Sequence, residues 1–185
     1  MKAFVGITGA SGAAYAVALL RLLREREAET WVALTRWGAH ILREETGLSP
    51  GDLGNLASVV LDADDMARAP ASGSGGFSSV AIIPCTVSTA GKVACGIGDN
   101  LVTRAAGVAL KEKRRLVVVI RETPLSAIHL DALAALARAG AVVLPASPAF
   151  YSRPGSVEEI VEFIALRTLS AMGVDVPLSE LWEYE

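Results

Sequence analysis

Short apolar runs alternate along this chain with longer segments whose apolar residues recur every three or four positions. Ala3-Phe4-Val5-Gly6-Ile7 is followed by helical spacing from Ala13 to Leu23. Trp31-Val32-Ala33-Leu34-Thr35 is followed by a short helical stretch from Ala39 to Glu45. Val80-Ala81-Ile82-Ile83 reads as a buried strand ended by Pro84, with a helix running on through Val93. Asp99 stands where it would cap a helix from Leu101 to Lys113. Leu116-Val117-Val118-Val119-Ile120 is the strongest strand signal, and Leu130 to Ala137 then reads as helix. Ala141 to Pro145 is a further strand, and Val157 to Met172 a last helix with Val157, Ile160, Val161 and Ile164 on one face. Strands that are apolar throughout, alternating with helices, predict an α/β fold with a mostly parallel sheet covered on both faces. Between Gly47 and Gly76 the pattern weakens to one apolar run, Val59-Val60-Leu61. The small-residue stretch from Ala69 to Gly76 is either a flexible surface loop or one that folds over a ligand.

Composition changes this picture little. The apolar fraction of 52% with only 5% aromatics suits a doubly covered sheet, with subunit interfaces as a second sink for apolar surface. The 185 residues are most simply one domain spanning the whole chain. Lys and Arg number 17 against 20 Asp and Glu, a net charge of −3, which excludes a broad nucleic-acid surface but leaves room for a local cationic pocket. No run approaches the ~20 apolar residues of a membrane span, and the start lacks a signal peptide's cleavage pattern. A soluble, cytoplasmic protein without membrane contact is therefore expected. Cys85 and Cys95 have no metal-ligand spacing and only His40 and His129 to assist them. Two buried thiols and no metal are expected.

The candidate chemistry gathers where strands end. Gly9-Ala10-Ser11-Gly12 joins the first strand to the first helix, whose unpaired N–H groups and dipole favour an anionic or polar ligand. An ordinary strand–helix turn would use the same residues. The hydroxyl-rich stretch Cys85-Thr86-Val87-Ser88-Thr89 makes a second such turn, and in open α/β sheets ligands bind along that edge. Arg121 and Glu122 stand at the end of the central strand, and Tyr151 beyond the last one. Arg104 and Lys111 are seven apart and share a helix face at a separation of about 10 Å. Arg167 lies on the final helix. Singly these are a solvated stripe, an interface aromatic and a surface pair. Together they point to a phosphate-bearing substrate with proton transfer nearby. A short-chain dehydrogenase is disfavoured: the turn lacks the further glycine, and Tyr15, Tyr151 and Tyr184 are not placed shortly ahead of a catalytic lysine.

The ordered set of motifs resembles the flavin prenyltransferase (UbiX-type) family over nearly the whole chain. Its carriers are Gly6-Ile7-Thr8-Gly9-Ala10-Ser11-Gly12, Ala71-Ser72-Gly73-Ser74, Pro84-Cys85-Thr86, and Asp99-Asn100-Leu101 leading to Arg104-Ala105-Ala106. Leu110-Lys111-Glu112, Arg121-Glu122-Thr123-Pro124-Leu125, His129-Leu130 and Pro148-Ala149-Phe150-Tyr151 complete it. The resemblance implies a Rossmann-like (flavodoxin-like) three-layer sandwich assembling as a homo-oligomer, typically a dodecamer. It implies that reduced FMN accepts a dimethylallyl group from dimethylallyl phosphate at N5 and C6, without a metal. The prenylated FMN would then serve a partner decarboxylase.

Carried over by position, the resemblance puts Gly9, Ala10, Ser11, Thr35, Thr86, Val87, Ser88, Thr89 and Arg121 against FMN. Tyr151 and Arg167 match the prenyl-phosphate ligands, with Arg104 and Lys111 completing that pocket across a subunit interface. Glu122 corresponds to the catalytic carboxylate and Glu45 to a second acidic residue near the phosphate. Thr35-Arg36 stands where Ser-Lys is frequent, Thr86 replaces a common Ser, and Leu181-Trp182 replaces a terminal Arg-Trp, with Trp182 still placed to cover the pocket. Two other readings stay open: a flavin-dependent cysteine decarboxylase, which this chain fits poorly because it lacks a Pro-x-Met-Asn stretch, and a non-catalytic flavin-delivery module.

Overall fold

A computed structural model describes residues 1–177; Trp182 lies outside them. Six strands form one sheet in the order β3-β2-β1-β4-β5-β6, every neighbouring pair parallel. They are β1 (Lys2–Ile7), β2 (Glu29–Leu34), β3 (Val59–Asp62), β4 (Ser79–Cys85), β5 (Arg115–Ile120) and β6 (Val142–Pro145). The helices are α1 (Ala13–Glu25), α2 (Arg36–Thr46), α3 (Val87–Ala94), α4 (Leu101–Lys111), α5 (Ala127–Arg138) and α6 (Val157–Ala171). The expected three-layer Rossmann-like sandwich is what forms. Alternate residues of β1, β4 and β5 face opposite ways: Val5, Ala81 and Val117 pack under α1 and α6, while Phe4, Ile82 and Val118 pack under α4. The strand order reverses between β1 and β4, and the crevice beyond their carboxyl ends is where such sheets bind ligands.

Several local expectations are corrected. Pro84 does not end β4, which runs through Cys85. The β4–β5 register shifts between Ile82 and Cys85, so the N–H that proline lacks is not demanded there, and the Pro84 carbonyl accepts from Thr8 instead. Asn100, not Asp99, caps α4, its Oδ1 taking the Thr103 N–H at 3.0 Å. Asp99 pairs with Lys92 at 2.6 Å and its carboxyl is held below its usual range, chiefly by that lysine. The buried face of α6 is Ile164, Ala165, Leu166, Thr168 and Leu169, whereas Val157 is 69% exposed because the first turn projects past the sheet. Cys85 is buried, and burial pushes its thiol up to about 12. Cys95 is exposed at the end of α3, so only one of the two thiols is buried.

The stretch from Ala69 to Gly76 is not a free loop. It descends along α4 in two short 3-10 turns, tied by Arg104 Nε to the Ala71 carbonyl at 3.1 Å and by Arg114 Nη2 to the Gly73 carbonyl at 2.5 Å. It therefore serves as the crossover from the end of β3 to the start of β4.

Helix α2 lies unusually close over the end of β1. A Cβ built at Gly38 would stand 2.2 Å from the Ile7 carbonyl oxygen, which is backbone and cannot swing aside. Gly38→Ala is expected to cost about 1–3 kcal/mol, the range for overpacking a closed contact. Thermal unfolding should show it as a fall of roughly 2–12 °C. An unchanged midpoint would mean that α2 shifts freely.

Candidate active site

The C-terminal edge of the sheet is assembled first by Thr8, buried at the strand reversal. Its Oγ1 donates to the Pro84 carbonyl at 2.7 Å and accepts the Thr86 N–H at 2.9 Å. This hydroxyl ties the β1–α1 turn to the β4–α3 turn. Sequence reading missed it; the signal was a polar residue directly after an apolar strand.

On the β1 side Gly12 takes a left-handed conformation with φ 109° as it leads into α1. The first N–H groups of that helix are already engaged. Glu45, at the last turn of α2, accepts from Gly12 N and Ala13 N through the same Oε2, both at 2.8 Å. The expected anion position at this helix end is thus taken by the protein's own carboxylate. Trp37 covers the turn from the other side: a Cβ at Gly9 would meet the Trp37 Cβ at 2.5 Å. Its indole is 64% exposed and stands edge-on to His40, ring centroids 5.5 Å apart. No motif marked Trp37 in the sequence.

The two threonines expected to offer hydroxyls are helix caps. Thr35 Oγ1 takes the Gly38 N–H at 3.1 Å, and Thr86 Oγ1 takes the Thr89 N–H at 3.1 Å while donating to Thr89 Oγ1 at 2.9 Å. Ser88 is exposed, with no hydrogen-bond partner among the described residues, so its hydroxyl and the Val87 and Ser88 N–H groups are donors left facing the edge.

Arg121 closes this ring. It follows β5 and donates from Nε to the Ser11 carbonyl at 3.2 Å, reaching across β4 to the β1–α1 turn. Glu122 is exposed beside it, accepting among the described residues only the Thr123 N–H at 3.1 Å. Tyr151 lies exposed in the loop beyond β6 on the same edge.

The remaining cations do not converge there within one chain. Arg104 is in the first turn of α4, near the edge, since the Leu101 N–H bonds the Ala63 carbonyl just past β3. Lys111 ends α4 and precedes β5, whereas Glu122 follows β5. Six residues of strand separate their levels by about 20 Å. Lys111 is paired with Glu112 beside Gly73, which lowers the Glu112 carboxyl. Arg167 is exposed on α6 beyond its midpoint, toward the end that meets Arg115 at the start of β5. Within one chain Arg121, Glu122, Tyr151 and Arg104 thus lie toward the carboxyl edge of the sheet, and Lys111 and Arg167 lie away from it.

Comparison with known proteins fits this geometry. The Flavoprotein family matches residues 1–169. A flavin prenyltransferase UbiX of Thermoplasma acidophilum is 42% identical over 182 residues, covering 98% of this chain and 100% of the relative. The chain belongs to the flavin prenyltransferase family. Among solved structures, AnUbiX (PadA1) in complex with FMN and dimethylallyl pyrophosphate superposes with a TM-score of 0.94 at 36% identity, covering 100% of this chain and 97% of that one. A dodecameric FMN-dependent UbiX-like decarboxylase from Escherichia coli O157:H7 gives 0.92 at 41% identity, covering 95% and 96%. Against flavin prenyltransferases the cysteine-decarboxylase reading is not favoured, and the fold expected from the resemblance is the one that forms.

Proposed function

We propose that this protein is a flavin prenyltransferase: it joins the dimethylallyl group of dimethylallyl phosphate to N5 and C6 of reduced FMN. The observation that carries the reading is the ring at the strand reversal, where Arg121 reaches Ser11 and Glu122 stands exposed beside it. The donor set fits a flavin: a guanidinium, the Ser88 hydroxyl and the open N–H groups of α3 line one edge. Reduced FMN, when bound, supplies the electron-rich nucleophile. Gly9, Ala10 and Ser11 form the floor of its pocket, with Thr35 and Thr86 to Thr89 along the sides.

The chain's own residues supply the rest. Breaking an allylic C–O bond leaves phosphate as the departing anion, and fixed cations stabilise charge as it develops. Arg167, Arg104 and Lys111 take that part, with the Tyr151 hydroxyl as a neutral donor beside them. The distance between Lys111 and the sheet edge supports a pocket shared between subunits, and the exposed apolar side chains Ile128, Leu130 and Phe150 suit a homo-oligomer, which we take to be a dodecamer. Forming the second bond consumes the allyl double bond: its central carbon takes up a proton, for which the acid is the departing phosphate, and C6 releases its ring proton, for which the base is the Glu122 carboxylate. Glu45 holds the β1–α1 turn beside the phosphate. Holding flavin and allyl group in contact removes much of the entropic barrier. The prenylated flavin then passes to a partner decarboxylase.

The test is anaerobic incubation with reduced FMN and either dimethylallyl phosphate or the diphosphate, followed by mass spectrometry of the released flavin. Prenylated FMN is expected with the monophosphate. FMN recovered unmodified from both, after demonstrable binding, would leave the delivery-module reading in its place.

A further inference from the structure

We infer that Thr8 is a positioning residue for prenyl transfer: its buried hydroxyl sets the spacing of the two turns between which flavin and allyl donor meet. This rests on the flavin prenyltransferase reading above and adds to it a group that aligns the pocket without entering it. Thr8 is 1% exposed, so it acts through its neighbours and not on a ligand. Pairing of β1 with β4 ends at Gly6 and Ile82. Beyond that point every hydrogen bond between the β1–α1 and β4–α3 turns, among the described residues, runs through Thr8. Its N–H donates to the Pro84 carbonyl at 3.2 Å, and its Oγ1 donates to the same carbonyl at 2.7 Å. The Oγ1 also accepts the Thr86 N–H at 2.9 Å. The hydroxyl's proton and a lone pair are both committed, which locks its direction.

Each end of this tie leads to groups that the reaction uses. On one side Thr8 runs into Gly9-Ala10-Ser11, the floor of the flavin pocket, and then into Gly12 and Ala13, whose N–H groups hold Glu45 at 2.8 Å. On the other side Thr86 caps α3, so its placement fixes the Val87 and Ser88 N–H groups and the Ser88 hydroxyl that face the edge. Arg121 does not duplicate the tie. It reaches past β4 to Ser11, which holds the β1–α1 turn against β5 and leaves the β4–α3 turn to Thr8. Transfer requires reacting atoms about 3–3.5 Å apart, and a misplacement of about 1 Å costs on the order of 10²-fold. Without the Thr8 hydroxyl each turn keeps its own donors, so both substrates still bind. What is lost is their mutual placement, and the effect falls on rate and not on affinity.

The experiment measures anaerobic single-turnover transfer with reduced FMN and dimethylallyl phosphate, normalised to bound flavin, in the full chain. Thr8→Val keeps the shape of threonine without the hydroxyl, and Thr8→Ser keeps the hydroxyl. Thr8→Val is expected to lower the saturating rate roughly 10–100-fold, while FMN affinity and the half-saturating donor concentration change by less than about threefold. Thr8→Ser should return the rate to within about threefold of wild type. Thr30 is the control: it is also 1% exposed, its Oγ1 donates to the Ala28 carbonyl at 3.3 Å, and it stands at the amino end of β2. Thr30→Val removes an equally buried hydroxyl away from the site and should leave the rate unchanged. Thr8→Ala takes the place of Thr8→Val should that variant not fold. A hydroxyl-free variant as fast as wild type, a loss confined to affinity, Thr8→Ser as slow as Thr8→Val, or Thr30→Val slowed equally would overturn the inference and leave the flavin reading standing. Wild type that yields no prenylated FMN removes the flavin reading and the inference together.

Discussion

Replacing Glu122 by Gln is expected to cut prenyl transfer roughly 10²–10⁴-fold while FMN remains bound, the usual span for losing a positioned general base. The substitution is nearly isosteric. Glu122 is exposed and among the described residues makes one hydrogen bond, from its neighbour's N–H, which the amide oxygen of Gln can still accept. Folding and flavin affinity should therefore be unaffected. Anaerobic single-turnover assays with reduced FMN, alongside flavin titration, measure both quantities. A rate equal to wild type would remove Glu122 from the mechanism and leave the departing phosphate as the base.

Lys111 provides the second large effect, because of where it stands. Lys111→Ala is expected to lower turnover roughly 10²–10³-fold, as for the loss of one preorganised group facing a developing anion. It ends α4 just before β5, about 20 Å of strand away from the edge that carries Glu122 of the same chain. In the pocket proposed above these two residues come from different subunits. Co-assembly of Lys111→Ala chains with Glu122→Gln chains in equal amounts should restore activity, because about a quarter of the shared pockets regain both residues. Complementation is read by mixing unfolded variants, refolding together and comparing the rate with each variant refolded alone. A mixture no faster than its components would place both residues in one subunit's pocket, against the geometry of α4 and β5.

Much of the fold was legible in the order of apolar runs. The strands Lys2–Ile7, Ser79–Cys85 and Arg115–Ile120 lie within two residues of their sequence estimates, since buried parallel strands must be apolar throughout. Helix starts were harder. α2 begins at Arg36 and α5 at Ala127, each three residues before its expected start, because Thr35 and Ser126 cap helices whose first turns carry polar or exposed residues. β3 was visible only as a run of three apolar residues. It lies at the sheet's edge, where one side is unpaired and the hydrophobic signal is correspondingly short.

By itself the sequence determined which residue types stand at strand ends, and hence the family, through the order of Gly9–Gly12, Thr86–Thr89, Arg121-Glu122 and Tyr151. Only the tertiary structure decided which of them meet. Thr8 joining two turns, Glu45 filling the end of α1, and Arg121 reaching Ser11 across 110 positions are contacts between elements remote in sequence. The same holds for Lys111. Helical spacing put it on one face with Arg104, but the direction of α4 against the sheet carries it to the opposite edge. Periodicity fixes which way a side chain faces around its own axis; packing of the layers fixes which end of the sheet it reaches.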